Sequence, residues 1–358
     1  MSRSSQKVSH WHSTESGSIL IIVLWMVTLT AIIATTLATE IRLSSRIVHA
    51  QKQKVSEWAE TLEALHSAEM ELMLHKMPLP VTDNWESMKV GARPAELSFD
   101  GSAVTTAYPS PSSMNIHIFD HSGKISLVAL TRNRLRMLLL KTVGDDEIAL
   151  ESLLNSWEDW IDKDSLKRIN GAEEKFYQAL TPPYLPRNGP LDSVEEILDI
   201  RGFLPIFGAI ELSSAFTLHT THNTINPNLA TLEALHLLPG LSASSIEQIV
   251  SLRQEEPFQN MEALTEILPP EEFSVAREWF GFHYSNTYTI AIVPHSAPEG
   301  HSAENKRRPV IAYTEDVRVQ GYKTPPTTVA VRPSVLLTLP TSATEQLLAE
   351  QSHNKRGQ

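Results

Sequence analysis

Residues 18–39 read SILIIVLWMVTLTAIIATTLAT, 22 positions without a charge. As an α-helix rising roughly 1.5 Å per residue, the run covers about the 30 Å of a bilayer core, so membrane crossing is the first expectation. Arg3 and Lys7 lie upstream, as in a segment whose N-terminus stays in the cytoplasm, with Glu15 opposing that bias. A cleaved secretory signal is the competing reading, but it calls for a shorter apolar core and a small-residue cleavage site followed by a turn. Beyond Thr39 the chain is instead charged and periodic. Ile41, Val48, Val55, Trp58, Leu62, Leu65 and Leu72 recur at steps of three, four and seven, one stripe of an amphipathic helix. No Pro or Gly interrupts residues 18–77. A single helix of about 90 Å is therefore predicted, half in lipid and half packed against a soluble domain, with Pro78 and Pro80 as its stop.

The chain has 358 residues, enough for two domains or for one domain carrying a large insertion. Its 41% hydrophobic and 20% charged residues are those of a folded protein. The formal net charge of −12 argues against a general nucleic-acid surface, which needs clustered cations. Cysteine is absent, which excludes disulfides, thiolate catalysis and Cys-ligated zinc and fits a place outside the cytoplasm. No GxSxG, HExxH, P-loop or dinucleotide fingerprint occurs, so an enzyme is not expected.

Beyond residue 78 the pattern alternates in character. ELSFDG, SAVTTAY and MNIHIFDHSGKISLV read as short strands around turns. From Thr131 helices take over in RNRLRMLLLKTVG, DDEIALESLLNSWEDWIDKD and DSVEEILDIRGF, with the Pro-rich coil PPYLPRNGP at 182–190 between the last two. FTLHTTHNTINPN is read as extended, three helical segments are expected in 229–280, and NTYTIAIV, PVIAYTEDVRV and TTVAVRPSVLLTL return to strand. The polar tail is expected to be disordered. An internal repeat aligns ISLVALTRNRL (125–135) with INPNLATLEAL (225–235), Thr131 and Thr231 falling in register as helix caps. A second pair aligns Ser193 with Asn260 ahead of helical runs, as duplicated helical hairpins would.

A polar leader ending in Gly17, followed at once by an apolar helix that continues as an amphipathic one, resembles the type IV pilin and type II secretion pseudopilin family. The resemblance implies cleavage by prepilin peptidase between Gly17 and Ser18; an uncleaved signal anchor stays open beside it. Most members carry a Glu five residues into the mature chain, thought to pair with the N-terminal ammonium of the subunit above, and here that position is Ile22. An apolar residue there suits a subunit at the fibre tip and resembles the general secretion pathway protein K family. DHSGKISL (120–127), WEDWIDKD (157–164), GAEEKFY (171–177), PPYLPRNGPLDSVEEILDIRGF (182–203) and TINPNLAT (224–231) extend that resemblance over most of the chain.

The resemblance implies an α+β, pilin-like fold: a long N-terminal helix on a small antiparallel sheet, with a large helical insertion of SAM-like or helix-hairpin-helix-like character. The expected organisation is a leader over 1–17, the N-terminal helix over 18–77, strands over 78–130, an inserted helical domain over 131–224, a second helical repeat over 225–285, C-terminal strands over 286–340 and a tail over 341–358. It also implies single-pass anchoring in the inner membrane of a Gram-negative-type bacterium, bulk in the periplasm, and a part in exporting folded proteins. Partners would be other minor pseudopilins, the prepilin peptidase and the inner-membrane assembly platform. A related type IV pilus minor pilin, or a membrane-anchored DNA-uptake receptor, is the alternative.

Further constellations carry candidate chemistry. Asp159, Asp162 and Asp164, with Glu173 and Glu174 as remote ligands, are hard oxygen donors suited to calcium, and related secretion pseudopilins bind calcium; Trp157, Trp160 and Ile161 equally suit a plain helix end with a solvated acidic face. Residues 235–264 resemble a helix-hairpin-helix turning at Pro239-Gly240-Leu241, but Glu247, Glu255 and Glu256 oppose the nearby Arg253, so scaffolding is expected rather than phosphate binding. His219 and His222 are read as lying on opposite faces of a strand, which argues against a shared metal and favours solvated or hydrogen-bonded histidines. Glu195 and Glu196 are read as helix-start residues.

Overall fold

The structure is a computed structural model that describes residues 16–77, 98–295 and 309–338. The first fifteen residues of the expected leader, the Pro78 and Pro80 stop and the tail lie outside the described residues. The chain divides into two compact units, Met1–Ala59 and Glu60–Gln358.

The first unit contributes most of helix α1 (Ser16–His75). Its side chains from Ile19 to Trp58 are exposed, including Leu20, Trp25, Ile41, Val48 and Val55. Threonines within the apolar run turn their hydroxyls back to the carbonyls of the preceding turn, as Thr35 does to Ala31 at 2.6 Å, so they present no unmet donor to a hydrocarbon surrounding. The amphipathic stripe divides in two. Leu65 and Leu72, with Ala64 and Ala68, are buried in the second unit, whereas Ile41, Val48, Val55 and Trp58 are exposed. The packed half of the helix is therefore shorter than the periodicity predicts.

In the second unit, β1 (Asp100–Ala103), β2 (Met114–Asp120), β5 (Thr287–Pro294), β6 (Pro309–Arg318) and β7 (Thr327–Thr338) form one antiparallel sheet in the order β1-β2-β5-β6-β7. Alternation decides its faces. Met114, Ile116 and Ile118 of β2 and Tyr288, Ile290 and Ile292 of β5 pack with the end of α1, while Phe119, Ala291, Val293 and Ala312 form a smaller cluster on the other face. Thr289 stands opposite Asp316 on that second face.

Residues 121–286 leave the sheet after β2 and return to it at β5. This insertion contains β3 (Ile125–Ser126), α2 (Arg132–Val143), α3 (Glu147–Ile161), α4 (Glu174–Gln178), α5 (Leu204–Phe207), α6 (Leu212–Ala215), β4 (Phe216–Thr217), α7 (Leu232–Leu237), α8 (Ala243–Glu255), α9 (Met261–Thr265) and α10 (Pro270–Ala276). One apolar cluster runs from Ile125 to Phe280 through both expected halves. Parallel pairing occurs in both expected halves. β3 pairs in parallel with β4, and Ile225 bridges Phe280 in parallel, so each half opens and closes on neighbouring extended residues. Thr131 and Thr231 cap α2 and α7 at equivalent positions, through Arg134 N (3.4 Å) and Ala234 N (3.2 Å).

Three local expectations are corrected. DSVEEILDIRGF forms a six-residue 3-10 helix, Val194–Asp199, whose buried residues Val194 and Ile197 are three apart, the period of that tighter helix. Glu196 starts it as expected, accepting from Asp192 N and Ser193 N at 3.0 and 3.3 Å. Residues 229–280 hold four helices, because Pro269 and Pro270 end α9 and start α10. The extended stretch through His219 and His222 is only the two-residue β4, since Thr217 Oγ1 accepts from His219 N (3.0 Å) and bends the chain.

Candidate functional site

The sequence blocks at 120–127 and 224–231 meet at the neck of the insertion. Asp120 accepts from Ser122 N (2.8 Å), where the chain leaves the sheet, and from Ser285 N (3.1 Å), where it returns. Asn226 N donates to Ser122 O (2.8 Å) and Thr231 N to Gly123 O (3.1 Å). Gly123 is required by contact: a Cβ there would stand 2.0 Å from the carbonyl oxygen of Leu229. Asn228 exchanges two bonds of 2.8 Å with the backbone of Phe258, and Arg253 of α8 donates to Pro227 O and Ala230 O while facing Asp100 of β1 at 3.4 Å, both side chains buried.

Beneath that neck lies a buried polar cluster. Thr289 Oγ1 donates to Asp316 Oδ1 (2.6 Å) and accepts from Lys124 Nζ (2.8 Å), which leaves it one lone pair for His121 Nε2 at 2.9 Å. The His121 proton therefore belongs on Nε2, and Nδ1 accepts from Thr217 Oγ1 (2.8 Å). Burial, then the Lys124 charge, lowers the His121 imidazole to about 3. Burial lowers Lys124 to about 8, against the pull of Asp316. Burial alone would raise the Asp316 carboxyl, but the His121 ring, with Nε2 at 3.7 Å, and the charges of Lys124 and Arg332 hold it well below the usual carboxylate range. Buried on all sides, the cluster is a brace between insertion and sheet rather than a place where a substrate could enter.

The expected calcium residues fall into two groups. Asp159 is fully buried and accepts from the Arg168 guanidinium (2.9 Å) and from Arg168 N (3.2 Å); the same guanidinium binds Asp162 and, through Nε, Glu158 at 3.0 Å. Asp164 accepts from Leu166 N (2.8 Å) and Glu174 from Gln178 Nε2 (2.6 Å). Asp162 Oδ1 and Glu173 Oε1 are buried oxygens that no protein group satisfies. Burial pushes the Glu173 carboxyl up, and the carboxylates of Asp159, Asp162 and Asp164 push it further. Among the described residues no group of three or more His, Asp or Glu is arranged to hold a metal ion. Arg168, the cation that gathers these acids, lies nine residues after Asp159, a separation that no helical or strand period marks in the sequence. The surrounding blocks are joined by rings: Trp160 meets Tyr177 edge-on at 5.1 Å and Tyr177 meets Tyr184 at 5.3 Å.

At the helical hairpin, Gly240 has φ +79° and lies against Val275, where a Cβ would be 2.8 Å away. Glu272 already occupies the start of α8, accepting from Ser242 N at 3.1 Å, and bonds from the Ser245 and Ser242 side chains hold its carboxyl low. An internal anion stands where a phosphate would be bound. At the N-terminus, Gly17 and Ser18 lie on the first turn of α1 and Ile22 is exposed. The helix is long and apolar enough to cross a membrane.

Residues 125–206 match the family described as type II secretion system protein K. The chain is 25% identical to the type II secretion system protein K of Klebsiella pneumoniae over 195 residues, 51% of this chain and 59% of that one. It is 28% identical to that of Pectobacterium carotovorum over 40% of this chain and 48% of the relative, and 32% identical to a putative protein K of Escherichia coli K12 over 30% and 33%. The chain thus spans between a third and three fifths of the length of these relatives. A solved GspK-GspI-GspJ complex of the enterotoxigenic Escherichia coli type 2 secretion system aligns over 82% of this chain and 99% of the other, at 15% identity and a TM-score of 0.47. Within the inserted helical body, residues 125–206 carry the likeness to the type II secretion system protein K family.

Proposed function

We propose that the protein is a minor pseudopilin of a type II secretion system that caps the tip of the periplasmic pseudopilus and supports its assembly for the export of folded proteins. The observation that carries this reading is a protein K domain inserted between adjacent strands of an antiparallel sheet, in a chain that opens with a membrane-length apolar helix. The exposed apolar side chains of α1 suit two surroundings in turn: lipid of the inner membrane before assembly, and the equivalent helices of other minor pseudopilins after it. Prepilin peptidase, cutting between Gly17 and Ser18, and the inner-membrane assembly platform are the partners of the steps between. Ile22 offers no carboxylate to the N-terminal ammonium of a subunit above, and the large insertion obstructs one, so both favour the end of the fibre.

Calcium belongs to this reading at the end of α3. Asp162 Oδ1 and Glu173 Oε1 are the oxygens that would take it, Asp164 being adjacent, while Asp159 is engaged by Arg168. A rise in melting temperature on titration with calcium is expected, and none at millimolar calcium overturns that part alone.

The main test is genetic. Deleting the gene in an organism with one such system should abolish secretion of folded periplasmic proteins, and the intact gene should restore it. Ile22→Glu should move the subunit from the end of the fibre to positions along it. Undiminished secretion after deletion overturns the proposal.

A further inference from the structure

His222 and His283 lie on two backbone segments held side by side. Ile225 N donates to Trp279 O (2.8 Å), Gly281 N to Ile225 O (2.9 Å), and Asn226 Nδ2 to His283 O (2.9 Å). Arg134 fixes the first segment further by donating to Asn223 O. The two imidazole rings are thereby brought to 4.1 Å between centroids, inclined at 37°. His222 is exposed, whereas His283 is half-buried and its Nε2 is a buried nitrogen that no protein group satisfies. Burial lowers the His283 imidazole, and His222 lowers it further. An imidazole with an unmet ring nitrogen, in contact with a second imidazole, suits a borderline cation.

We propose that His222 and His283 bind one first-row divalent transition cation, zinc being the expected occupant, with water completing the coordination. Such a site requires one nitrogen of each ring to stand roughly 2.1 Å from a common ion. Entry is from the His222 side, where the ring is open to solvent. The bound ion clips the loop after β4 to the segment that runs into β5, across the end of the second helical repeat. Magnesium and calcium are not taken, because both ligands are nitrogen and those ions require oxygen. The inference stands independently of the role in secretion.

The test uses untagged full-length protein in detergent micelles. Isothermal titration with zinc chloride should show one equivalent bound at micromolar concentration, weakening as pH falls because protons compete for the rings. His222→Ala and His283→Ala should each weaken binding by more than about tenfold. His222→Cys, which keeps a zinc ligand at an exposed position, should retain it. Copper substituted for zinc should show two nitrogen couplings in its electron paramagnetic resonance spectrum, falling to one in His222→Ala. Absence of zinc binding to the intact protein, or binding unchanged by His222→Ala, overturns the proposal, the latter by placing the ion on other histidines.

Discussion

Arg253→Ala removes the side chain that ties α8 to three places: Pro227 O at 3.0 Å, Ala230 O at 2.7 Å and the Asp100 carboxylate at 3.4 Å. The Arg253 and Asp100 side chains are only 3% and 2% exposed, so the loss leaves a charge that water reaches poorly. Breaking such a pair from one side costs about 3–5 kcal/mol, most of it the burial of the partner left behind. Asp100 keeps its bond from Ser102 N (3.0 Å), and water entering the vacated volume offsets part of the two lost carbonyl bonds, so the total stays near that range. With an m-value of about 3 kcal/mol/M, the urea midpoint of the full chain in detergent, read by tryptophan fluorescence, should fall by about 1–2 M. A double-mutant cycle adds the decisive comparison. Asp100→Asn and Arg253→Met should each destabilise, but together by about 2–3 kcal/mol less than their sum, because neither leaves an uncompensated charge in the presence of the other. A cost below about 1 kcal/mol for Arg253→Ala, or additivity within about 0.5 kcal/mol, would refute the account of α8 as tied to the sheet by charge.

His121 has a folded-state imidazole at about 3, below its ordinary 6.5, so the unfolded chain takes the proton first. Stability should be level with respect to this group above pH 6.5 and decline as pH falls from 6.5 towards 3; His121→Gln should lower the slope of stability against pH by one proton in that window. Gly123→Ala forces a methyl onto the Leu229 carbonyl and should cost about 1–3 kcal/mol or more, measured by thermal unfolding; a neutral effect would show that the two blocks are not in contact. Arg168→Ala leaves Asp159 buried with only a backbone donor and should cost about 1–3 kcal/mol at neutral pH, a loss that chemical denaturation would detect.

The features legible in the sequence are those that depend on neighbours along the chain. Alternation in NTYTIAIV and PVIAYTEDVRV marks β5 and β6, and Thr131, Thr231 and Asn260 announce their helices because a cap acts within three residues. Val194 and Ile197 are ambiguous for the same reason: six residues are too few to separate a 3-10 period from an α period. The polar cluster is invisible there, since His121, Thr217, Thr289 and Asp316 meet only through the insertion's return to the sheet. Likewise the acidic run at the end of α3 gives no hint that Arg168 turns back onto it. His219 and His222, three apart in the chain, face His121 and His283, partners far along it.

Asp120 and Tyr288 are direct partners across β2 and β5, although the whole insertion and Thr287 separate them in the chain. During synthesis β2 therefore has one hydrogen-bonding edge bare until the whole insertion and β5 have emerged, so this pairing is late to form. The Asp120 carboxylate, bonded at once to Ser122 and Ser285, is the point where that closure is recorded. A chain stalled or cut within the insertion would leave an open strand edge, the form most prone to join a second copy in the wrong register.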